Sequence, residues 1–503
     1  MKRYIVKIMM CMALGIGIGG CASSFLDVPP YSQMSPDDYF SSSSDAPTSL
    51  VNAVYNALLQ TNMHGFPWIG VASITSDDAS KGSSPGDTGT DKQDLDNFTF
   101  TADAISFDNV WEANYIGIIR ANYALSTLPT LGIDKEKEKR LVGEASFLRA
   151  YFYWNLWRCF GGVPLITFVP DPSDEEQQKL SRTRATSMQV YNHILSDLDV
   201  AVESLPALSY LPALELGRAT SGAPLALRSN VYLYGGHWEE AARDARSVIS
   251  QGVYDLSTPY EDIWKEVGEN TSGSIFEVQC RGLTPATAIG GFTETQGIRG
   301  MYGWGFNTPT EDLRSIYDAN DVRDDAIFIE AGQTLWDGVQ VISPTENTYY
   351  NYKAYVSKHS ESATEDSWQS NKNYRVLRYA DVLLILCEAL WNIDPQNEEI
   401  YTYLSSIRQR AGLMPVTADD YATSQDLLDA ILLERRREMA MEYDRFFDLI
   451  RQGRLYDPLI PISALGEGKN PNSRFSWPRN ALFPIPARQI QLSGGSLTQN
   501  PEY

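Results

Sequence analysis

Apolar residues recur at helical spacing in separate blocks along most of this chain. Trp111, Tyr115, Ile118, Asn122 and Leu125 step by four, three, four and three. Leu141, Ala145, Leu148, Phe152, Leu156 and Cys159 do the same, and a second line of Phe147, Tyr151 and Trp154 follows another side of that segment. A helix apolar on two sides is buried on most of its circumference, and Gly161-Gly162 with Pro164 stop it. Further helices are predicted at Ser187–Leu205, Ala223–Gly235 and Trp238–Gln251, the last two joined at Gly235-Gly236. Ala241 and Ala245, one turn apart, let such a pair approach closely, as in tetratricopeptide-type repeats. The acidic stretch Asp171–Gln178 reads as a loop. Periodicity fades over 252–375, with loop-like runs at Gly282–Pro309 and Gly332–Ser370. It returns at Leu377–Trp391, Glu398–Ala411 and Gln425–Arg451. The prolines of Leu482-Phe483-Pro484-Ile485-Pro486 forbid a helix there. The predicted fold is mainly α: a helical frame with tetratricopeptide-like helix pairs and large irregular loop insertions. Long loops without elements of their own are commonly functional, and these are rich in Trp and Tyr, which disordered segments avoid.

The start of the chain adds a location. Lys2, Arg3 and Lys7 make a basic start, and the apolar run that overlaps it, Ile5–Ile18, is shorter than the roughly 20 residues needed to span a bilayer. Small residues and a cysteine follow, Gly19-Gly20-Cys21. This is a secretory leader whose cleavage leaves an acylated Cys21 as the first residue. The organisation read from this is a leader at 1–20, a Ser- and Pro-rich tether at 21–44, an N-terminal helical region at 45–255 and a C-terminal region with ligand-bearing loops at 256–503. The 503 residues carry 41 basic and 64 acidic side chains, and three of the basic ones leave with the leader. So acidic a surface repels phosphates, which excludes nucleic acid as a partner. Of five cysteines, Cys159, Cys280 and Cys387 remain once Cys11 is cleaved away and Cys21 is acylated; without CxxC spacing they read as buried free thiols.

Several segments together resemble the SusD/RagB family. They are Gly143-Glu-Ala-Ser-Phe-Leu-Arg-Ala-Tyr-Phe-Tyr-Trp-Asn-Leu-Trp-Arg-Cys-Phe-Gly-Gly-Val-Pro164; Trp111-x-x-x-Tyr115 leading into Ile119-Arg120-Ala121-Asn122; Tyr374–Leu384; Ile407–Gly412; Glu434-Arg435-Arg436; and Phe483-Pro-Ile-Pro486 with Gln499-Asn500-Pro501. The likeness runs from Phe25-Leu26-Asp27 to the C-terminus. Two positions depart from the family pattern: Tyr443 stands where Glu-Gly-x-Arg is common, and Glu502 where glycine precedes the last tyrosine. The resemblance implies a non-catalytic, outward-facing outer-membrane lipoprotein. It would bind a glycan or another nutrient and cap a SusC-like TonB-dependent transporter; no cofactor and no metal-ligating residues are assigned.

Gly15-x-Gly17-x-x-Gly20 lies inside the leader, without the strand that a dinucleotide fingerprint requires. Gly82-Ser83-Ser84-Pro85-Gly86 has nucleophile-elbow spacing but lacks the strand-to-helix setting. Four scattered His give no zinc or triad spacing. Asp77 and Asp78 are adjacent, whereas glycosidase carboxyls face one another about 5–9 Å apart; accepting hydrogen bonds from sugar hydroxyls suits them better. Glu434–Arg437 with Glu438 and Glu442 reads as ion pairing on and between helices. Loop aromatics are the sharper signal, because a Trp or Tyr face packs against the C–H face of a sugar ring while polar neighbours hold its hydroxyls. Trp304 and Tyr302, in Gly300-Met-Tyr-Gly-Trp-Gly-Phe306 beside Arg299, are the leading candidates, with Trp336 and Trp68 beyond them. The sequence thus favours glycan capture for a transporter. A helical-repeat lid that binds no sugar and a lipid-anchored glycosidase are the alternatives.

Overall fold

In a computed structural model, residues 45–208, 215–284, 286–301, 303–361 and 368–503 are described. Cys21 and the whole leader and tether lie outside them. Residues 45–49 open the helix α1 (Ala46–Ala57), and Leu50–Tyr503 form one unit. Its frame is a series of helices, each packed on the next: α2 (Ile105–Thr127), α3 (Lys135–Phe160), α4 (Ser187–Ser204), α5 (Gly222–Gly235) and α6 (Trp238–Ser250). After the irregular stretch come α7 (Tyr379–Ile393), α8 (Glu398–Arg410), α9 (Ser424–Met439), α10 (Arg445–Leu455) and α11 (Leu459–Leu465). α6 packs on α7, so the frame is continuous across residue 255. Among the described residues no helix is long and apolar enough to cross a membrane.

The end signals act as predicted. Asp134 caps α3 by accepting from the amides of Glu136 and Lys137 (3.1 and 3.0 Å), and Gly161, at φ +72°, ends it. α3 is buried on most sides because α2 comes very close. A Cβ on Gly117 would stand 2.4 Å from the Phe152 ring, so only glycine fits there. Arg149 joins three helices, donating to both Asp197 oxygens (2.8 and 2.6 Å) and to Asn122 Oδ1 (2.8 Å).

Three expectations are corrected. Asp171–Gln178 is partly helical: Glu175–Arg182 forms a short helix capped by Asp174. Its one apolar residue, Leu180, is exposed, and it has acids in its first turn and bases in its last, so periodicity could not show it. The segment 377–391 begins as a strand, β6 (Tyr374–Arg378), before α7 starts. The segment 425–451 is two helices, interrupted where Met441 and Tyr443 take left-handed conformations (φ +62° and +73°). Among the described residues the strands form three two-stranded antiparallel sheets: β1 (Ala79–Gly82), from the N-terminal part, with β3 (Phe306–Pro309), β2 (Ser274–Val278) with β6, and β4 (Phe328–Glu330) with β5 (Tyr349–Asn351). Their registers place Ser80 opposite Thr308 and Ile329 opposite Tyr350.

The charged stretch on α9 is internal wiring. Glu438 accepts from Arg378 (2.8 Å) and Arg410 (2.5 Å) and lies 3.3 Å from Arg323, which also pairs with Glu434 (2.6 Å) and Asp321 (2.7 Å). Arg435 reaches Asp381 (2.6 Å) and Asp448 (2.8 Å). Cys159, Cys280 and Cys387 are buried and free.

His64 is fully buried. Its Nδ1 faces the Leu58 carbonyl and its Nε2 the Tyr151 hydroxyl, both at 2.8 Å. The carbonyl requires the proton on Nδ1, and burial lowers the ring's pKa to about 4, so at neutral pH Nε2 is bare and accepts from the Tyr151 hydroxyl. The unfolded chain takes up this proton from about pH 6.5 downward while the folded chain refuses it until about pH 4. Stability from this residue is therefore complete above pH 6.5 and falls by about 3 kcal/mol on the way to pH 4. Urea unfolding at pH 7, 5.5 and 4.5 should show a steeper loss in the wild type than in His64→Gln; equal slopes would refute the assignment.

Candidate functional site

The segment Gly297–Gly305 is built to hold one ring outward. The Trp304 amide donates to the Glu294 carbonyl at 2.8 Å. Gly305, at φ +75°, runs so close to Arg299 and Tyr350 that a Cβ would lie 3.0 and 3.1 Å from them. With its backbone pinned, Trp304 leaves 38 % of its surface exposed. Its ring stands 5.5 Å from Trp368, at 40° between planes, and 6.3 Å from Phe66, edge-on. Trp368 lies over Gly290 and Gly291, where any Cβ would come within 2.6 Å of its ring. Arg299 edges the platform, donating to Ser83 Oγ (2.8 Å) and the Trp304 carbonyl (3.0 Å) and pairing with Asp87 (2.7 Å). The rings offer flat apolar faces, and the groups around them offer hydroxyl, guanidinium and carboxylate.

Ser83 sits at φ +55° directly after β1. Its Oγ accepts from Arg299 and lies 2.8 Å from the Trp304 carbonyl and against Asp87. It organises the loop; the nucleophile position of the Gly82–Gly86 pattern would be Ser84, and although strand β1 precedes it, no helix follows directly as an elbow requires.

On the other side of β1 lies a cleft of about 1070 Å³, walled by β1, β3, Glu346–Tyr349, α9 and α11. Arg436 and Arg445 line it, both engaged by the aspartates. Arg445 grips Asp77 with two 2.8 Å bonds; Arg436 reaches Asp78 at 2.7 Å and Asp77 at 3.2 Å. Burial alone would raise Asp77, but Arg445 and then Arg436 outweigh it and hold its carboxyl below the usual range. The break between α9 and α10 makes this grip possible by turning both arginines toward the same pair of acids.

The sequence-predicted residues therefore fare differently. Trp304 and Arg299 stand together on the platform. Trp336 is also exposed, at 37 %, but stands on the Thr334–Gln340 turn with Lys265 Nζ 4.9 Å above its ring. Tyr302 lies outside the described residues. Trp68 is a correction: 1 % exposed and stacked on Phe447 at 6.1 Å, it belongs to the core. Asp78 is another, since it is 1 % exposed and its reachable oxygen is held by Arg436. Asp77 borders the cleft but is committed to Arg445. Phe66, Trp368 and Tyr349 were missed. A tryptophan in the aromatic-rich run Gly332–Ser370 was the available signal for Trp368. Among the described residues no group of three or more His, Cys, Asp or Glu is placed to hold a metal ion.

A model described as the SusD family matches residues 301–503, and one described as "Starch-binding associating with outer membrane" matches residues 24–233. The chain is similar to the SusD-like protein P2 of Formosa agariphila, 27 % identical over 532 residues that take in the whole of both chains. A laminarin-binding SusD-like protein is 27 % identical in sequence and superposes with a TM-score of 0.75, over 91 % of this chain and 99 % of that one. Surface glycan-binding protein A from Bacteroides thetaiotaomicron, solved with laminarihexaose, shares the fold at a TM-score of 0.75 and 22 % identity, over 91 % and 99 % of the two chains.

Proposed function

Because this chain belongs to the SusD/RagB family, we propose that it is a glycan-binding lipoprotein of the outer membrane. It faces outward on acyl chains at Cys21, captures oligo- or polysaccharide, and hands it to a SusC-like TonB-dependent transporter. One observation carries the binding half of this reading: exposed Trp304, flanked by half-buried Trp368 and Phe66 and edged by Arg299, Ser83 and Asp87. Aromatic faces gain by covering the C–H face of a pyranose, and rigid rings lose little entropy in doing so. The names of the relatives, laminarin- and glycan-binding proteins, support the same class of ligand. The description of the second family model supports association with the outer membrane. Against turnover stands the arrangement of the acids, since Asp77 and Asp78 are clasped by arginines rather than set across a gap from one another. Delivery works by proximity: a weakly held chain kept beside the pore gains effective concentration rather than affinity.

The test is native electrophoresis of the purified chain, from residue 22 on, through gels containing neutral and anionic polysaccharides. Retardation by at least one polymer, with no release of reducing ends on prolonged incubation, is expected. No retardation by any polymer would overturn the binding reading, and released ends would make the protein a glycosidase. Co-purification of a TonB-dependent transporter with the full chain from detergent-extracted outer membranes checks the delivery half.

A further inference from the structure

We infer that the cleft beyond β1 is a second carbohydrate-binding surface, contiguous with the aromatic platform, and that the two together select an uncharged glycan several residues long. This rests on the glycan reading above and deepens it.

Contiguity comes first. Ser83 lines the cleft, and its hydroxyl is within 2.8 Å of the Trp304 carbonyl. Asn347 also lines the cleft, and a Cβ on Gly305 would lie 3.2 Å from its Nδ2. The backbone that raises Trp304 is therefore the border of the cleft. A chain stacked on the ring needs only to pass Ser83 or Asn347 to enter.

Size and lining come next. At about 1070 Å³ the cleft matches the upper end of small-molecule sites, roughly 300–1,000 Å³, and exceeds what one sugar ring needs. Ser80, Thr308, Asn347 and Tyr349 offer hydroxyls and an amide, while Leu433 and Ile460 give apolar relief. Alternating hydroxyl and C–H surfaces are what a glycan presents.

Charge selects further. Each cation along the two surfaces already has its partner. Arg299 is paired with Asp87, Arg436 with Asp78 and Asp312, Arg445 with Asp77, and Lys469 with Asp96. Lys81 Nζ donates to the carbonyls of Ser84 and Asp87. Exposed at the rim stand Glu311, Glu346 and Asp429. Among the described residues, a sulfate or uronate entering here meets carboxylates and no uncommitted cation, on a chain of net charge −23.

The experiment has two arms. In gels at 0.15 M salt, laminarin, starch, xylan and galactomannan are set against alginate, polygalacturonate and carrageenan. Retardation confined to neutral polymers is expected. Retardation by an anionic polymer overturns the charge selection and leaves glycan binding standing, whereas no retardation by any polymer overturns both. The second arm is calorimetry with the disaccharide and hexasaccharide of whichever neutral polymer binds. The hexasaccharide should bind at least tenfold tighter to the wild type. Leu433→Arg, from the α9 wall, and Ser463→Arg, from the α11 wall, both at exposed positions, should each remove most of that gain by filling the cleft. A gain that persists in both variants, with thermal unfolding unchanged, would confine the ligand to the platform and overturn the second surface.

Discussion

Glu438→Gln lowers the unfolding free energy by about 3–5 kcal/mol, the range found when one member of a buried ion network is removed. Glu438 is fully buried, with Arg378, Arg410 and Arg323 at 2.8, 2.5 and 3.3 Å. Burial alone would raise its pKa, but Arg410, Arg378 and Arg323 outweigh burial and hold the carboxyl far below the usual carboxylate range. The amide keeps the shape and loses the charge, which leaves three guanidiniums facing one another in a low dielectric. A folded-state pKa below the unfolded value means that this contribution is complete above about pH 4.5, declines as pH falls below that, and is gone once the pH has passed through the folded chain's much lower pKa. Urea unfolding at pH 7 reads the loss as a shift in midpoint. A change below about 1 kcal/mol would mean that the arginines find other partners, and the network would then not be what ties α9 to β6 and α8.

Trp304→Ala combined with Trp368→Ala weakens binding of the cognate neutral glycan about a hundredfold, roughly 2.7 kcal/mol. The two rings are neighbours, 5.5 Å apart and tilted by 40°, so the double variant removes both aromatic faces at once. Each single variant should cost about tenfold, in keeping with the concentration of binding energy in a few aromatic anchors. Trp336→Ala is the control: its ring stands on a different turn with Lys265 over it, and a loss under threefold is expected. Calorimetry on the polymer that retards the wild type decides the matter. If Trp336→Ala costs more than the double variant, the platform has been placed on the wrong turn.

Much of the frame was legible because a buried helix imposes a 3.6-residue period on its apolar positions, and α2 to α6 and α8 show it. What escaped lacked that signature. The Glu175–Arg182 helix is held by its cap and its charges. The α9–α10 break depends on left-handed Met441 and Tyr443, and no residue-type preference marks it because neither is glycine. At the site, Trp304 was legible because glycines flank it. Trp68 misled because it shares a short segment with Phe66. Phe66–Ile69 is a single helical turn, and residues two apart on a helix point to opposite sides. Phe66 therefore reaches Trp304 while Trp68 turns inward to Phe447. Which of two neighbouring aromatics is inside is fixed by the phase of that turn, and a four-residue element is too short to reveal its phase in sequence.

The three buried thiols carry a practical consequence. Burial pushes Cys159 and Cys280 up to about 12 and Cys387 higher still, so at neutral pH none presents the reactive thiolate. In a soluble form starting after Cys21, a single cysteine placed on the rim of the cleft would be the one position that maleimide dyes modify. Fluorophores could then follow ligand arrival and transporter docking without first removing the native sulfurs.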